Sequence, residues 1–265
     1  MIQLIETFLV LYIKYISLYI FLYLFGRSFC IILNKLLIKE NTLPKTILNL
    51  KAEIIFPIIG IVFFGNLLIL INYFFPLKDK IVLIIAIGFL LFNFLERNEK
   101  FNLKDYLSFN NLLYFVIFPS VLIISSSNTF FHYDAGYYHL NHQNWLRESN
   151  MIFGMVNIFW PFGMSSIYEY ISAPLWTEGS FILLHFLNLI FFHFFFLFLS
   201  ENILTKQKIN LKIASFFLII FGILDNFGIN GGRNGFLYIQ GVGKQDVAVA
   251  VLYCFVTLTI LSYIK

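Results

Sequence analysis

Of 265 residues, 60% are hydrophobic and only 12% are charged, and the mean hydropathy is +0.83. Soluble domains give about a quarter of their residues to charged side chains, and a soluble core of this length could not hide 35 Phe and 15 Tyr, so a soluble globular fold is excluded. The net charge of +4 comes from lysines scattered between apolar runs, with no basic stripe, which argues against nucleic acid as a partner.

The runs predict an all-α, polytopic membrane protein with about seven transmembrane helices, over residues 4–26, 53–76, 81–95, 110–127, 181–200, 212–229 and 246–263. Each approaches the length needed to cross roughly 30 Å of hydrocarbon. The first run lacks a basic leader and a small-residue cleavage site, and Lys14 interrupts it, so it reads as a helix rather than a cleaved signal. Pro57 and Pro119 fall inside helices, where each removes a backbone donor and favours a kink. Cys30 and Cys254 lack metal-site spacing and sit in apolar surroundings, as packing residues do. The chain is expected to form a single integral membrane domain over 1–265.

Charges between the runs set an orientation. The 27–52 connection carries Arg27, Lys35, Lys39, Lys45 and Lys51; the 96–109 connection carries Arg97, Lys100 and Lys104. Lys206, Lys208 and Lys212 mark a third basic connection, whereas the alternate ones hold Lys78 and Lys80, then Arg147, then Arg233 and Lys244. The positive-inside rule puts the basic set in the cytoplasm and the N-terminus outside.

The long connection, 128–180, is then extracytoplasmic. Its second half, FWPFGMSSIYEYISAPLW, is apolar but divided by Pro161, Gly163 and Pro174, which fits short interfacial or re-entrant pieces better than a clean crossing. Its first half, HYDAGYYHLNHQNWLRESN, predicts a short helix with Ala135, His139, His142 and Leu146 on neighbouring turns and Tyr138, Asn141 and Trp145 beside them. Such a surface suits a polar cavity at the membrane surface, its aromatic side chains touching a sugar ring or an isoprenoid chain. Asp134 serves either as a helix cap or as a general base that accepts the proton of an attacking hydroxyl. His139 and His142 with His132 or Asp134 make a weak set for a divalent metal, and no metal or other cofactor is assigned. Arg147 holds either a phosphate-bearing donor or a lipid headgroup. The second polar patch, 224–246, has glycines without a nucleotide-binding pattern, and Arg233 joins the candidate substrate-binding residues as part of a phosphate clamp. Asp246 is placed to cap the last helix.

At Tyr133, Asp134, Ala135, Gly136, Tyr138, His139 and Leu140, followed by Trp145, Glu148, Gly154, Asn157, Gly163 and Ser166, the chain resembles a family of uncharacterised bacterial membrane proteins from surface-polysaccharide gene clusters, first defined in Leptospira. Lys244 and Asp246 belong to the same resemblance, which covers about residues 50–265; Phe159 and Pro161 depart from it, standing where members often have His and Arg. Family members are usually longer, so the chain is expected to be a shortened or split member. Its architecture is distantly similar to multi-helix (GT-C-like) glycosyltransferases that use polyprenyl-phosphate-linked donors, in which an aspartate of an outward loop acts as base or orients the acceptor. The resemblance implies Asp134 for that role. It also implies the bacterial inner membrane as location, and a polyprenyl-phosphate-linked sugar or glycan, with membrane lipid, as partners. Sequence reading therefore favours a transferase of cell-surface polysaccharide assembly, with Tyr138, His139, His142, Trp145, Arg147 and Arg233 binding substrate. A glycan polymerase, a transporter or flippase, and a non-catalytic membrane subunit are the alternatives.

Overall fold

The computed structural model describes residues 2–38, 46–47, 50–78, 80–95, 109–129, 131–176, 180–205, 207–226 and 242–263. Helices dominate them: α1 (Ile2–Leu33), α2 (Ala52–Asn72), α3 (Lys80–Leu95), α4 (Phe109–Ser126), α5 (Leu140–Glu148), α6 (Ile167–Ser172), α7 (Ile182–Leu204), α8 (Ile209–Asn226) and α9 (Asp246–Tyr263). Four of the described helices, within α1, α2, α4 and α7, are long and apolar enough to cross a membrane, and α3, α8 and α9 are shorter apolar helices. A hairpin of two-residue strands, β1 (Thr46–Ile47) and β2 (Leu50–Lys51), pairs antiparallel ahead of α2, an element the apolar pattern did not announce.

An apolar helix is present at each of the seven expected places, though residues 227–229 of the sixth lie outside the described residues, and one differs markedly in extent. Helix α1 runs on past Gly26 to Leu33, because the polar residues that suggested its end are partnered. Arg27 donates to Asn93 Oδ1 at 2.7 Å, and Ser28 donates to the Phe89 carbonyl at 3.1 Å.

The chain divides into two units. The first comprises 19–99 and 131–184, the second 1–18, 100–130 and 185–265. In the first unit, α1 and α2 cross at glycines: a Cβ on Gly26 would meet the Phe56 carbonyl oxygen at 1.9 Å, and one on Gly60 would meet that of Leu22 at 1.9 Å. Small residues at a crossing let backbones approach where lipid gives helices no hydrophobic reason to associate. In the second unit, α7 is buried nearly throughout and carries His185, Asn188 and His193 in its interior.

Both helical prolines leave a carbonyl four residues back without its usual donor, and a tyrosine of α1 supplies one in each unit. Pro57 frees the Glu53 carbonyl, which accepts from Tyr19 Oη at 2.6 Å. Pro119 frees the Phe115 carbonyl, which accepts from Tyr12 Oη. A π-helical segment, Leu113–Ile117, precedes Pro119, and its Tyr114 carbonyl accepts from His193 Nε2 at 2.7 Å. These bonds satisfy backbone groups that hydrocarbon cannot.

Among its described residues, the long connection holds no helix long and apolar enough to cross a membrane. A π-helical turn, Ala135–His139, leads into α5, which is followed by single 3-10 turns at Met155–Asn157 and Trp160–Met164 and then by α6. Two contacts with α2 fix it within the first unit. Asn72, buried at the end of α2, donates to the carbonyls of Leu146 and Ser149, each at 3.1 Å, and its own carbonyl accepts from Met151 N–H at 2.7 Å. Lower on the same helix, Gly65 leaves room for α6: a Cβ there would lie 2.2 Å from Ile167 Cγ2 and 3.2 Å from Ile171.

Candidate functional site

Helical spacing puts Ala135, His139, His142 and Leu146 on one face, and all four are buried. The buried face meets α6, where Glu169 stands alone among apolar neighbours. Its carboxylate is 3% exposed and receives Nδ1 of both histidines: His139 at 2.6 Å on one oxygen, His142 on the other. Burying a carboxylate costs several kcal/mol after relaxation. Two charge-assisted hydrogen bonds, about 1.5–3 kcal/mol each, offset most of that cost.

The protonation pattern follows from the geometry. Burial pushes the Glu169 carboxyl upward, but the hydrogen bonds and charges of His139 and His142 outweigh it and hold the group below the ordinary carboxylate value. Glu169 is thus ionised and acceptor-only, so both Nδ1 atoms must be donors. Nε2 of each ring is left turned away from the carboxylate, and neither Nε2 has a hydrogen-bond partner among the described residues. A carboxylate that fixes the tautomer of an imidazole is the arrangement of a general base or of a metal-binding histidine. No group of three or more His, Cys, Asp or Glu among the described residues has metal-holding geometry.

A second polar pair lies farther along α5. The Arg147 guanidinium covers the Trp176 ring at 4.9 Å and donates to the Trp176 carbonyl at 3.2 Å, while its buried Nε has no partner among the described residues. Trp176 Nε1 in turn donates to Gln143 Oε1 at 3.0 Å. Arg147 is held by an aromatic face and keeps a donor for an anion. Glu148, its sequence neighbour, instead pairs with Lys78.

Contacting aromatic rings lead from the surface to this centre. Tyr133 stacks on Tyr137, Tyr137 meets Phe159 edge-on, Phe159 meets Phe162, and Phe162 stacks on His142.

The other residues named from sequence fall into place around it. Asp134 does not cap the helix: its backbone is already helical and its side chain makes no cap bond, because the first helical turn begins one residue earlier. It is half-exposed, with Oδ2 3.4 Å from His132 Nδ1. Tyr138 is half-buried against the His139 ring, and Trp145 is exposed, beside the buried face of α5. Arg233 lies outside the described residues. Asp246 opens α9 and pairs with Lys244 at 2.8 Å. Glu169 went unnoticed in sequence, although its signal was there: it is the sole charge between Glu148 and Trp176. A lone carboxylate in so apolar a stretch must find donors or lose its charge.

Residues 8–263 match the family described as a domain of unknown function, DUF8201, and the chain belongs to that family. No curated protein and no solved structure matches the chain.

Proposed function

We propose that this DUF8201 member is a polytopic inner-membrane transferase of bacterial cell-surface polysaccharide assembly, moving a sugar from a polyprenyl-phosphate donor to an acceptor hydroxyl on the extracytoplasmic side. The observation that carries the reading is the buried carboxylate that holds two imidazoles by Nδ1, their Nε2 atoms without a hydrogen-bond partner among the described residues. An imidazole so held is a base suited to remove the proton of an attacking hydroxyl. Asp134, the catalytic carboxylate implied by the resemblance, orients that hydroxyl from its half-exposed position beside His132. Arg147, stacked on Trp176, meets the charge that develops on the departing phosphate. The aromatic series from Tyr133 to His142, with Tyr138 and Trp145 nearby, offers flat faces to sugar rings. A base with no paired carboxylate nucleophile produces inversion at the anomeric carbon.

Seven crossings with an extracytoplasmic N-terminus accompany this proposal. It is supported by the pairing of Lys78 with Glu148 and of Leu77 N–H with the Leu146 carbonyl, which join two connections that the charge alternation assigns to the same side. The test is transfer from a polyprenyl-phosphate sugar by protein reconstituted in vesicles, comparing wild type with Glu169→Gln. Transfer that is absent in the wild type, or unimpaired in the variant, defeats the proposal. A glycan polymerase uses the same chemistry and is distinguished by a repeating product. The transporter reading draws on a separate observation, the buried His185, Asn188 and His193 of α7; it predicts movement of substrate across the vesicle wall without bond making.

A further inference from the structure

We infer that the 151–172 segment is a re-entrant loop dipping into the bilayer, so that the Glu169 centre takes an amphiphile arriving laterally from lipid rather than a solute arriving from water. Depth is the first argument. Helix α2 is 21 residues long, about 30 Å at 1.5 Å per residue, which matches the hydrocarbon thickness. Asn72 at its end therefore marks one membrane boundary, and Asn72 is where the chain enters the segment, through the bond from Met151 N–H. Helix α6 packs on the same α2 at Gly65, through Ile167 and Ile171. Seven residues of helix separate Gly65 from Asn72, which places α6 roughly 10 Å inside that boundary.

Surface chemistry is the second argument, and it is independent of depth. From Ser149 to Tyr168 the chain carries no Asp, Glu, Lys or Arg. Phe153, Ile158 and Trp160 are 76%, 77% and 67% exposed, with Ile152 and Val156 exposed among them. A patch of this kind is unfavourable in water. Lipid suits it: Trp160 carries the part-polar indole that prefers the interface, and Gly154, at φ 82°, turns the chain as only glycine does readily. The charged groups near this end of α2 fit the headgroup zone: Lys78 and Glu148 pair at the end of α5, and Arg147 sits beside them.

Glu169 is then an ionisable group below the membrane surface, where only pairing with His139 and His142 makes it tolerable. The substrate class follows: a molecule with a hydrocarbon anchor and its reactive group at headgroup depth. This inference bears on the substrate of the proposed transferase, but its test reads lipid contact and not turnover. Wild type and Trp160→Phe are reconstituted in phosphatidylcholine, either plain or brominated near the glycerol end of the acyl chains. The expected result is loss of most Trp160 emission, taken as the difference between the two proteins, in brominated lipid, and no quenching by aqueous iodide. As a second measurement, Ile158→Cys in a Cys30→Ser, Cys254→Ser background should resist an impermeant maleimide added to either side. Iodide quenching of Trp160 without bromine quenching, or ready labelling at 158, overturns the re-entrant loop. The transferase proposal would then stand or fall separately on the Glu169→Gln turnover.

Discussion

Replacing Glu169 with glutamine tests the centre with almost no change of volume. The amide keeps one oxygen to accept from one Nδ1–H, but it turns an NH2 group towards the other. Donor then faces donor, and the second ring must move its proton from Nδ1 to Nε2. The lost charge-assisted bond, about 1.5–3 kcal/mol, opposes the relief of a desolvation penalty of several kcal/mol, so stability should stay within about 2 kcal/mol of wild type. Turnover should fall by roughly 10²–10⁴-fold, the usual contribution of a positioned base. The pH dependence has a definite sign. Because the folded carboxyl sits below its ordinary value of 4.5, its stabilising contribution is complete above that value and is lost as pH falls through the lower folded one. Glu169→Gln should flatten that acid limb of the unfolding profile. Thermal unfolding in detergent, turnover in vesicles and nitrogen NMR of the imidazoles read the three quantities. A variant with wild-type turnover and unchanged imidazole tautomers would show that Glu169 does not set the state of the two rings.

Asp134→Asn should leave abundance unchanged, since Asp134 makes no cap bond, and should raise KM for the acceptor more than it lowers kcat, as steady-state kinetics would show. Tyr19→Phe strips the Tyr19 donor from the Glu53 carbonyl and should cost about 1–3 kcal/mol in a thermal or denaturant assay. Adding Pro57→Ala should recover part of that loss by restoring the backbone N–H. Gly65→Ala sets a Cβ 2.2 Å from Ile167 Cγ2 and should destabilise by about 1–3 kcal/mol; Gly136→Ala, which meets nothing within 4 Å, should be tolerated in the same melt. Cysteines at Asn141 and Lys208 should be labelled from opposite sides of the membrane, the first from outside; labelling from one side removes the topology.

Much of the helical framework is legible because lipid imposes a length and a composition that recur along the chain. Seven apolar segments became seven helices, and the spacing of Ala135, His139, His142 and Leu146 disclosed which face of the interfacial helix is buried. The end of α1 was not legible. Arg27 and Ser28 look like the start of a loop until Asn93, far along the chain, partners both. Asp134 looks like a cap because capping is the commonest use of an aspartate near a helix start, whereas here the helix begins just before it.

Composition alone determined that the protein lives in lipid, since no other solvent accepts this much aromatic and aliphatic surface. It also showed that polar residues concentrate in the long connection, whereas the apolar runs hold few. Tertiary structure alone decided which of those residues act together. Glu169 stands 30 positions from His139 and 27 from His142, and local periodicity carries no information across such a gap. What joins them is the packing of α6 on α2 at Gly65 and the anchoring of α5 to Asn72. A buried carboxylate persists only where the fold brings it donors, and that pairing is set by contacts between helices rather than by the pattern within any one of them.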